Sequence, residues 1–121
     1  NSIKNLKILS NETLAKILNS ITTTRASWNG HNSSGWRKDI FSVNGFDERM
    51  KYGGEDRELG ERLINFGIRP KQIRYSAICL HLYHERGYVN ENSWNQNNRI
   101  RSETRIQKLE WTNYGLVKDK N

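Results

Sequence analysis

Two adjacent carboxylates, Glu55 and Asp56, follow a pair of glycines within residues 52–63. Gly53 and Gly54 tolerate positive φ and let a ligand approach the backbone closely, so they predict a turn that begins a helix. Acidic residues in the first turn of a helix are favoured in their ionised form by the helix dipole. An ionised carboxylate at the rim of a pocket is suited to acid–base chemistry.

The residues after this turn predict a helix of about three turns, because Gly67 supplies the C′ residue and Pro70 follows as a stop. At helical spacing, Asp56 heads an apolar stripe beside a polar one. The alternative interpretation is that Glu55 and Asp56 are only helix-capping charges. The paired glycines and the inward position of Asp56 favour a functional site. The apolar stripe comprises Asp56, Leu59, Leu63 and Phe66, and the polar stripe comprises Glu55, Glu58, Arg62 and Asn65.

A second group with chemical potential is His81 and His84, three residues apart at the end of an apolar run. If the chain turns there, both imidazoles can converge on one metal ion, with a nearby carboxylate to complete the ligand set. Structural or surface histidines are the favoured alternative, because residues three apart on a strand point to opposite faces.

Basic and aromatic residues gather near the C-terminal end of the chain. Such a set is able to bind nucleic acid, with cations on phosphates and aromatic rings stacking on bases. The favoured interpretation is a solvated helix face with inward-packed Trp side chains, since Glu103 and Glu110 alternate with the cations and no nucleic-acid-binding signature accompanies them. The set comprises Arg99, Arg101, Arg105, Trp94 and Trp111.

The chain of 121 residues has a net charge of +7, which implies attraction to anions such as nucleic acid, an anionic membrane or a phosphorylated small molecule. Its length fits one domain with one modest core. The single Cys79 excludes an internal disulfide framework and is expected to be a small buried core residue. No apolar run approaches the roughly 20 residues of a membrane span. We therefore expect a cytoplasmic protein, with the inner face of a membrane as a second location.

The predicted elements are few and mostly helical. A short amphipathic helix begins at Ser10, and residues 22–34 form a loop. A second short helix over residues 37–43 ends at Asn44-Gly45. A buried strand is predicted over residues 73–82, and a helix over residues 96–111.

Five ordered motifs together resemble the C-terminal half of inverting family 2 glycosyltransferases. The closest likeness is to the galactosyltransferase-type C-terminal region found in β-1,4-galactosyltransferases and chondroitin polymerases. It covers about residues 26–105, which implies a helical lead-in over residues 1–25 and a glycosyltransferase region over residues 26–121. The resemblance implies an α/β fold of GT-A type. The motifs are Asn32-Ser-Ser-Gly-Trp-Arg-Lys-Asp39, Val43-Asn-Gly-Phe-Asp47, Tyr52-Gly-Gly-Glu-Asp56, Arg62-Leu63 and His81-Leu-Tyr-His84.

The resemblance also implies a role for individual residues. Asp56 corresponds to the general base that acts on the acceptor hydroxyl, and Glu55 beside it to an acceptor-binding residue. His84 matches a metal-binding histidine, and His81 stands where other members carry a metal-binding methionine. The implied cofactor is Mn²⁺ or Mg²⁺, and the implied partners are a UDP-sugar donor and a saccharide acceptor. Further substrate-binding candidates are Tyr52, Gly53, Gly54, Asn32, Ser34 and Trp36.

One departure from the family concerns the Asp-x-Asp motif that anchors the metal, which is absent among the four aspartates of this chain. We therefore expect a fragment that holds the acceptor side, the base and part of the metal site, and that lacks an N-terminal nucleotide-binding half. Its product would be a surface polysaccharide. The alternatives are a non-catalytic carbohydrate- or partner-binding remnant and, less favoured, a basic nucleic-acid-binding module. The four aspartates are Asp39, Asp47, Asp56 and Asp119.

Overall fold

The computed structural model describes residues 11–79, 82 and 90–118. These ranges contain no β-strand, only an isolated antiparallel bridge between Tyr114 and Lys118. The chain divides into two compact units, to which residues 11–27 with 70–79 and residues 28–69 with 90–118 belong, respectively. The α/β fold of GT-A type and the division at residue 25 stay predictions. The described helices are α1 (Glu12–Ile21), α2 (Arg37–Ser42), α3 (Glu55–Asn65) and α4 (Glu91–Gln107).

The first unit is built around the predicted amphipathic helix, α1. Asn11 is its N-cap and accepts a hydrogen bond from the Leu14 backbone N–H at 2.9 Å. Asn19 joins the helix to the returning segment, because its side chain donates to Ser76 Oγ at 2.8 Å and accepts from the Tyr75 backbone N–H at 3.0 Å. Two side-chain amide hydrogen bonds therefore hold α1 against residues 75–76.

The buried strand predicted over residues 73–82 is wrong for the described residues 73–79, which form a turn. The Ser76 and Ala77 backbone N–H groups both donate to the Ile73 carbonyl oxygen at 2.9 Å, so the chain curls instead of extending. Cys79 is exposed, which corrects the prediction of a buried cysteine. β-Branched and aromatic residues favour a strand only where a neighbouring strand pairs with it, and here the Asn19 side chain takes the Tyr75 N–H instead.

The core of the second unit forms where α3 packs on the end of α2. Leu59 and Leu63 of α3 are buried against Val43. Gly67, with φ of 97°, ends α3, and the Ile68 N–H donates to the Leu63 carbonyl oxygen at 2.9 Å, so the predicted glycine cap is confirmed. The 11 residues of α3 match the three predicted turns.

A buried ion pair on the predicted polar stripe completes this core. Arg62 Nε donates to Glu58 Oε1 at 2.8 Å, and both side chains are 1% exposed. The Arg62 guanidinium also donates to the Val43 and Gly45 carbonyl oxygens, and Thr104 Oγ1 donates to Glu58 Oε1 at 2.9 Å. Each charge is thus met by hydrogen bonds from outside α3, which is what a buried ion pair requires.

The end of α2 anchors the C-terminal segment of the chain. Asn44, with φ of 65°, and Gly45 complete the predicted cap, because the Gly45 N–H donates to the Ile40 carbonyl oxygen at 2.9 Å. The buried Asn44 side chain donates to the Thr112 carbonyl oxygen at 2.6 Å and accepts from the Val117 N–H at 2.7 Å. The Asn44 side chain therefore binds both ends of residues 112–117.

The last helix, α4, packs against α3 and begins five residues before its predicted start. Asn90 is its N-cap and accepts from the Asn92 N–H at 2.9 Å. One polar face of α4 turns inward, so that Asn97, Ile100 and Thr104 are buried. Of the helices in the described ranges, none has the length and apolar character to cross a membrane.

Candidate functional site

The turn that precedes α3 has the predicted form. Gly53 and Gly54 have φ of 118° and 89°, values that residues other than glycine rarely adopt. Helix α3 then begins at Glu55, whose Oε2 accepts a hydrogen bond from the Gly53 N–H at 2.6 Å. The Glu55 side chain therefore folds back over the turn that precedes α3, and its hydrogen bond with the Gly53 N–H helps to fix the geometry of the turn.

Asp56 is half-buried, and both of its carboxylate oxygens accept backbone hydrogen bonds. Oδ1 accepts from the Arg57 N–H at 2.7 Å, and Oδ2 accepts from the Gly30 N–H at 2.8 Å. The second bond spans 26 positions of the sequence and ties the loop after Trp28 to the start of α3. The carboxylate thus has a fixed orientation without being withdrawn from solvent.

The loop of residues 28–35 is held in place by its own packing. A Cβ atom placed on Gly60 would lie 2.6 Å from Trp28 Cβ, and one on Gly35 would lie 2.9 Å from Trp28 Cζ3. Trp28 therefore packs directly on two glycines, one of them in α3. Within the loop, Ser33 Oγ accepts from the Asn29 N–H at 2.6 Å and donates to the Asn29 carbonyl oxygen at 2.7 Å.

The other predicted substrate-binding residues lie around this turn and loop. Asn32 and Tyr52 are half-buried, and Ser34 is exposed. Trp36 is the N-cap of α2 and is 75% exposed, so its indole is open to a ligand. The Gly30 N–H donates to Asp56, and this hydrogen bond connects the loop that contains Asn32 and Ser34 to Asp56. Tyr52 immediately precedes the two glycines.

Three side chains of α4 support the turn from beneath. A Cβ atom on Gly53 would lie 2.9 Å from Trp94 Cε2, and one on Gly54 would lie 3.1 Å from Arg101 Cδ. Asn97 Nδ2 donates to the Gly53 carbonyl oxygen at 2.9 Å. The two glycines are therefore required by close packing as well as by their positive φ.

Gly30 and Asn97 are the site residues that sequence reasoning missed. The Asn29-Gly30 dipeptide does carry a turn signal, but nothing in the sequence shows that its N–H meets Asp56. Asn97 lies at helical spacing from Trp94 and Arg101, a stripe that marks one face of α4. Because that face is polar, the spacing gives no amphipathic signal for burial.

The basic and aromatic set at the C-terminal end is partly used within the second unit. Arg101 Nη2 pairs with Glu61 Oε1 at 2.6 Å, and both side chains are largely buried. Trp94 lies against Gly53. Arg99 and Arg105 are exposed, which agrees with a solvated helix face for these two cations.

Asp47, in the motif that follows α2, is a structural carboxylate. Burial alone would raise its pKa, but hydrogen bonds from Arg49 and Thr112 outweigh burial and hold the pKa below its ordinary value. The hydrogen bond with Asp47 raises the pKa of Arg49 in turn. The Arg49 guanidinium also stacks 3.8 Å from the centre of the Tyr114 ring. This ion pair therefore fastens the C-terminal segment to the loop after α2.

The predicted metal ligands, His81 and His84, lie outside the described residues. Among the residues that the structure describes, no group of three His, Cys, Asp or Glu side chains converges as a metal site requires. Within the described residues, the carboxylates at the glycine turn are those of Glu55 and Asp56.

Comparison with known proteins places the chain in a family. The family model described as the N-terminal domain of galactosyltransferase matches residues 21–85, more than half of the chain. This chain belongs to that galactosyltransferase family, whose chemistry in general is sugar transfer from a nucleotide-sugar donor to a saccharide acceptor. No curated protein and no solved structure matches the chain significantly. Membership of family 2 and a place in the C-terminal half of an enzyme stay predictions.

Proposed function

We propose that this chain supplies the acceptor side of an inverting sugar transfer, with Asp56 as the general base. The observation that carries the proposal is the Asp56 carboxylate at the start of α3, which is half-buried and is oriented by the Gly30 N–H at 2.8 Å. A general base must lie within hydrogen-bond reach of the proton that it removes. A half-buried carboxylate with a fixed orientation meets that need.

The proposed reaction is a single displacement. The acceptor hydroxyl gives its proton to an Asp56 carboxylate oxygen while its own oxygen forms a bond to the anomeric carbon of the donor sugar. The bond from that carbon to the nucleoside diphosphate breaks, and the electron pair leaves with the diphosphate. Attack from the opposite face inverts the anomeric configuration, so no covalent sugar–enzyme intermediate is needed.

Other residues of the site take supporting parts in this proposal. Glu55 binds an acceptor hydroxyl through the carboxylate oxygen that does not accept from Gly53. The exposed indole of Trp36 and the loop of residues 32–34 offer surfaces for sugar rings. The nucleotide-binding half would come from another part of the protein, and His81 and His84 would contribute to its divalent metal, Mn²⁺ or Mg²⁺.

The first experiment separates catalysis from binding with the isosteric change Asp56→Asn. Transfer from UDP-galactose to a panel of saccharides is measured in the full-length protein, with Mn²⁺ present. We expect kcat to fall about 10²- to 10⁴-fold, the usual contribution of a general base, while saccharide binding by the chain changes less than about threefold. The amide oxygen introduced by this change can still accept the hydrogen bond from the Gly30 N–H, and the exposed Arg57 N–H, which loses its acceptor, can bond to water, so the fold should persist.

Asp39→Asn is the matched control, because Asp39 also lies in the first turn of a helix but in α2. It should leave kcat unchanged. Full turnover by Asp56→Asn would remove the general-base assignment. Glu55→Gln tests the acceptor role separately, and we expect it to weaken saccharide binding about tenfold by loss of one charge-assisted hydrogen bond.

A further inference from the structure

The underside of the Gly53–Gly54 turn is held by a single buried side-chain amide. Asn97 Nδ2 donates to two carbonyl oxygens, those of Lys51 and Gly53, each at 2.9 Å. These carbonyls flank Tyr52, so the amide bridges both ends of the segment that leads into the two carboxylates. Both N–H groups of the amide are thereby used.

The acceptor of the same amide is left without a partner. Among the described residues, Asn97 Oδ1 accepts no hydrogen bond, and the side chain is 0% exposed. A buried polar atom without a partner is unfavourable, and an apolar side chain at this position would avoid it. The presence of asparagine therefore indicates that its two donors are needed there.

The surrounding contacts explain why the donors matter to the turn. Gly53 and Gly54 have no side chains of their own to hold them, and a Cβ on either would approach Trp94 or Arg101 closely. Close packing against Trp94 and Arg101 therefore restricts the turn only on the side that faces α4. Two side chains hydrogen-bond the Gly53 backbone, Asn97 through the carbonyl oxygen and Glu55 through the N–H.

We propose that Asn97 is a positioning residue, whose two hydrogen bonds fix the Lys51–Gly54 segment and thereby aim Glu55 and Asp56 at the acceptor. Its effect on catalysis rests on the proposed function, whereas its effect on the turn does not. Asn97 touches no substrate, because its side chain is fully buried.

The first test uses the unaltered chain in solution by nuclear magnetic resonance. The side-chain NH₂ protons of Asn97 should exchange with solvent at least about tenfold more slowly than those of Asn98, its exposed neighbour on α4. Scalar couplings across hydrogen bonds should join Asn97 Nδ2 to the carbonyl carbons of Lys51 and Gly53. Equal exchange rates for Asn97 and Asn98 would overturn the proposal.

The second test replaces the donors and keeps the shape with Asn97→Asp. The Gly53 and Gly54 amide signals should shift and their exchange should quicken about tenfold or more, while the amides of Leu59 and Leu63 inside α3 keep their protection. Asn98→Asp, which adds the same charge one position along α4, should change neither glycine. A folded Asn97→Asp protein with unaltered Gly53 and Gly54 signals would contradict the proposal, and the measurement on the unaltered chain decides the matter if this variant does not fold.

The catalytic measurement uses the full-length protein with UDP-galactose and a saccharide acceptor. Asn97→Asp should lower kcat at least about tenfold, because Glu55 and Asp56 lose their fixed orientation toward the acceptor. The KM for UDP-galactose should stay unchanged, because the contacts with the sugar donor are not altered. A disturbed turn with normal kcat would refute the positioning role. Turnover that does not depend on Asp56 would instead refute the proposed function, and the resonance measurements would still decide whether Asn97 holds the turn.

Discussion

Asp47 shows at the scale of one residue how a buried carboxylate joins two distant segments. Its Oδ2 accepts from Arg49 Nη2 and from Thr112 Oγ1, each at 2.7 Å, and its side chain is 1% exposed. Hydrogen bonds of this kind stabilise the ionised form more than burial opposes it, which is why the pKa of Asp47 lies below its ordinary value. The folded state thus binds this proton less well than the unfolded state does.

The direction of that shift predicts a dependence of stability on pH. The pKa of aspartate in an unfolded chain is about 3.9. The contribution of Asp47 to stability is therefore complete above that pH and is lost as the pH falls through the lower pKa of the folded state. Asp47→Asn should lower the free energy of unfolding by about 1–3 kcal/mol at neutral pH, and by less as the pH drops below about 4. Urea unfolding across this range measures the difference.

Glu48→Gln provides the comparison for that experiment. Glu48 is the exposed neighbour of Asp47 and pairs with Lys118 at the surface. Exposed ion pairs contribute about 0–1 kcal/mol, so this change should have a small effect. An equal loss of stability in Glu48→Gln and Asp47→Asn, with the same dependence on pH, would argue against a special role for the buried carboxylate.

At the scale of the element, α3 depends on a glycine in its interior. Gly60 faces Trp28, and an added Cβ would lie 2.6 Å from Trp28 Cβ and 3.1 Å from its backbone nitrogen. Glycine in a helix interior costs about 1 kcal/mol relative to alanine. Its use here indicates that close approach of the loop of residues 28–35 outweighs helix propensity.

Gly60→Ala should therefore destabilise the protein, against the ordinary effect of the substitution in a helix. Overpacking of this kind costs about 1–3 kcal/mol, which exceeds the gain in helix propensity. The measurement is the midpoint of thermal unfolding together with the free energy from urea. If Gly60→Ala is more stable than the parent, Trp28 is able to move away at no cost.

Gly67→Ala separates packing from backbone strain. Gly67 has φ of 97° and no neighbouring atom within 4 Å of an added Cβ, so alanine there meets strain but no clash. It should cost about 1–2 kcal/mol, the usual cost of the left-handed conformation for a residue with a Cβ. Gly60→Ala should also disturb the amide signals of Gly30 and Asn29, whereas Gly67→Ala should not.

The sequence predicts α3 well and the segment of residues 73–79 poorly, for physical reasons. The limits of α3 are set by local signals, the glycines before it and Gly67 after it, which need no partner from elsewhere. A strand depends on a neighbour that the sequence does not show. The burial of Glu58 and Arg62 is hidden in the same way, since opposite charges four apart on a helix usually mark a solvated surface.

The sequence likewise predicts only part of the candidate site. The turn and the placement of Glu55 and Asp56 in the first turn of α3 follow from the local sequence. The Gly30 and Asn97 contacts do not, because they join residues 26 and 44 positions apart. Contacts at that separation depend on the complete packing of the second unit.

At the scale of the whole molecule, the family match and the folded unit do not coincide. The match ends at residue 85, yet the second unit also contains α4 and residues 108–118. Thr104 supplies a hydroxyl to the buried Glu58, and Thr112 supplies one to Asp47. The matched stretch alone thus keeps the arginine partners of these two buried carboxylates, Arg62 and Arg49, but lacks the hydroxyl donor of each.

Removal of residues 109–121 should therefore unfold the second unit. The Asn44 side chain would lose the Thr112 and Val117 carbonyl acceptors, and the Asp47 carboxylate would lose the Thr112 hydroxyl. Each lost hydrogen bond removes about 0.5–1.5 kcal/mol, and the deleted segment also packs on Asn44 and Gly45. The sum of the lost hydrogen bonds and packing approaches the whole stability of a small domain. The expected result is loss of dispersed amide signals, and a shortened chain with a spectrum like the parent's would contradict it.

Asn44→Gly tests the same link without shortening the chain. Glycine keeps the φ of 65° at this position without strain and removes only the side-chain hydrogen bonds. We expect a loss of about 2–4 kcal/mol from the three hydrogen bonds of this buried side chain. Asn113→Gly, at an exposed asparagine of the same segment, should cost much less.

The Glu58–Arg62 pair also has a consequence for the order of events in folding. The two charges are four residues apart, so they can meet as soon as α3 winds. The acceptors of Arg62 at Val43 and Gly45 are 19 and 17 positions away, and the Thr104 donor to Glu58 is 46 positions away. Because closing a longer loop costs more entropy, the short-range contacts should form at the rate-limiting step and the Thr104 contact after it. The unfolding rate of the native state would then depend mainly on the contacts of α4 with α3.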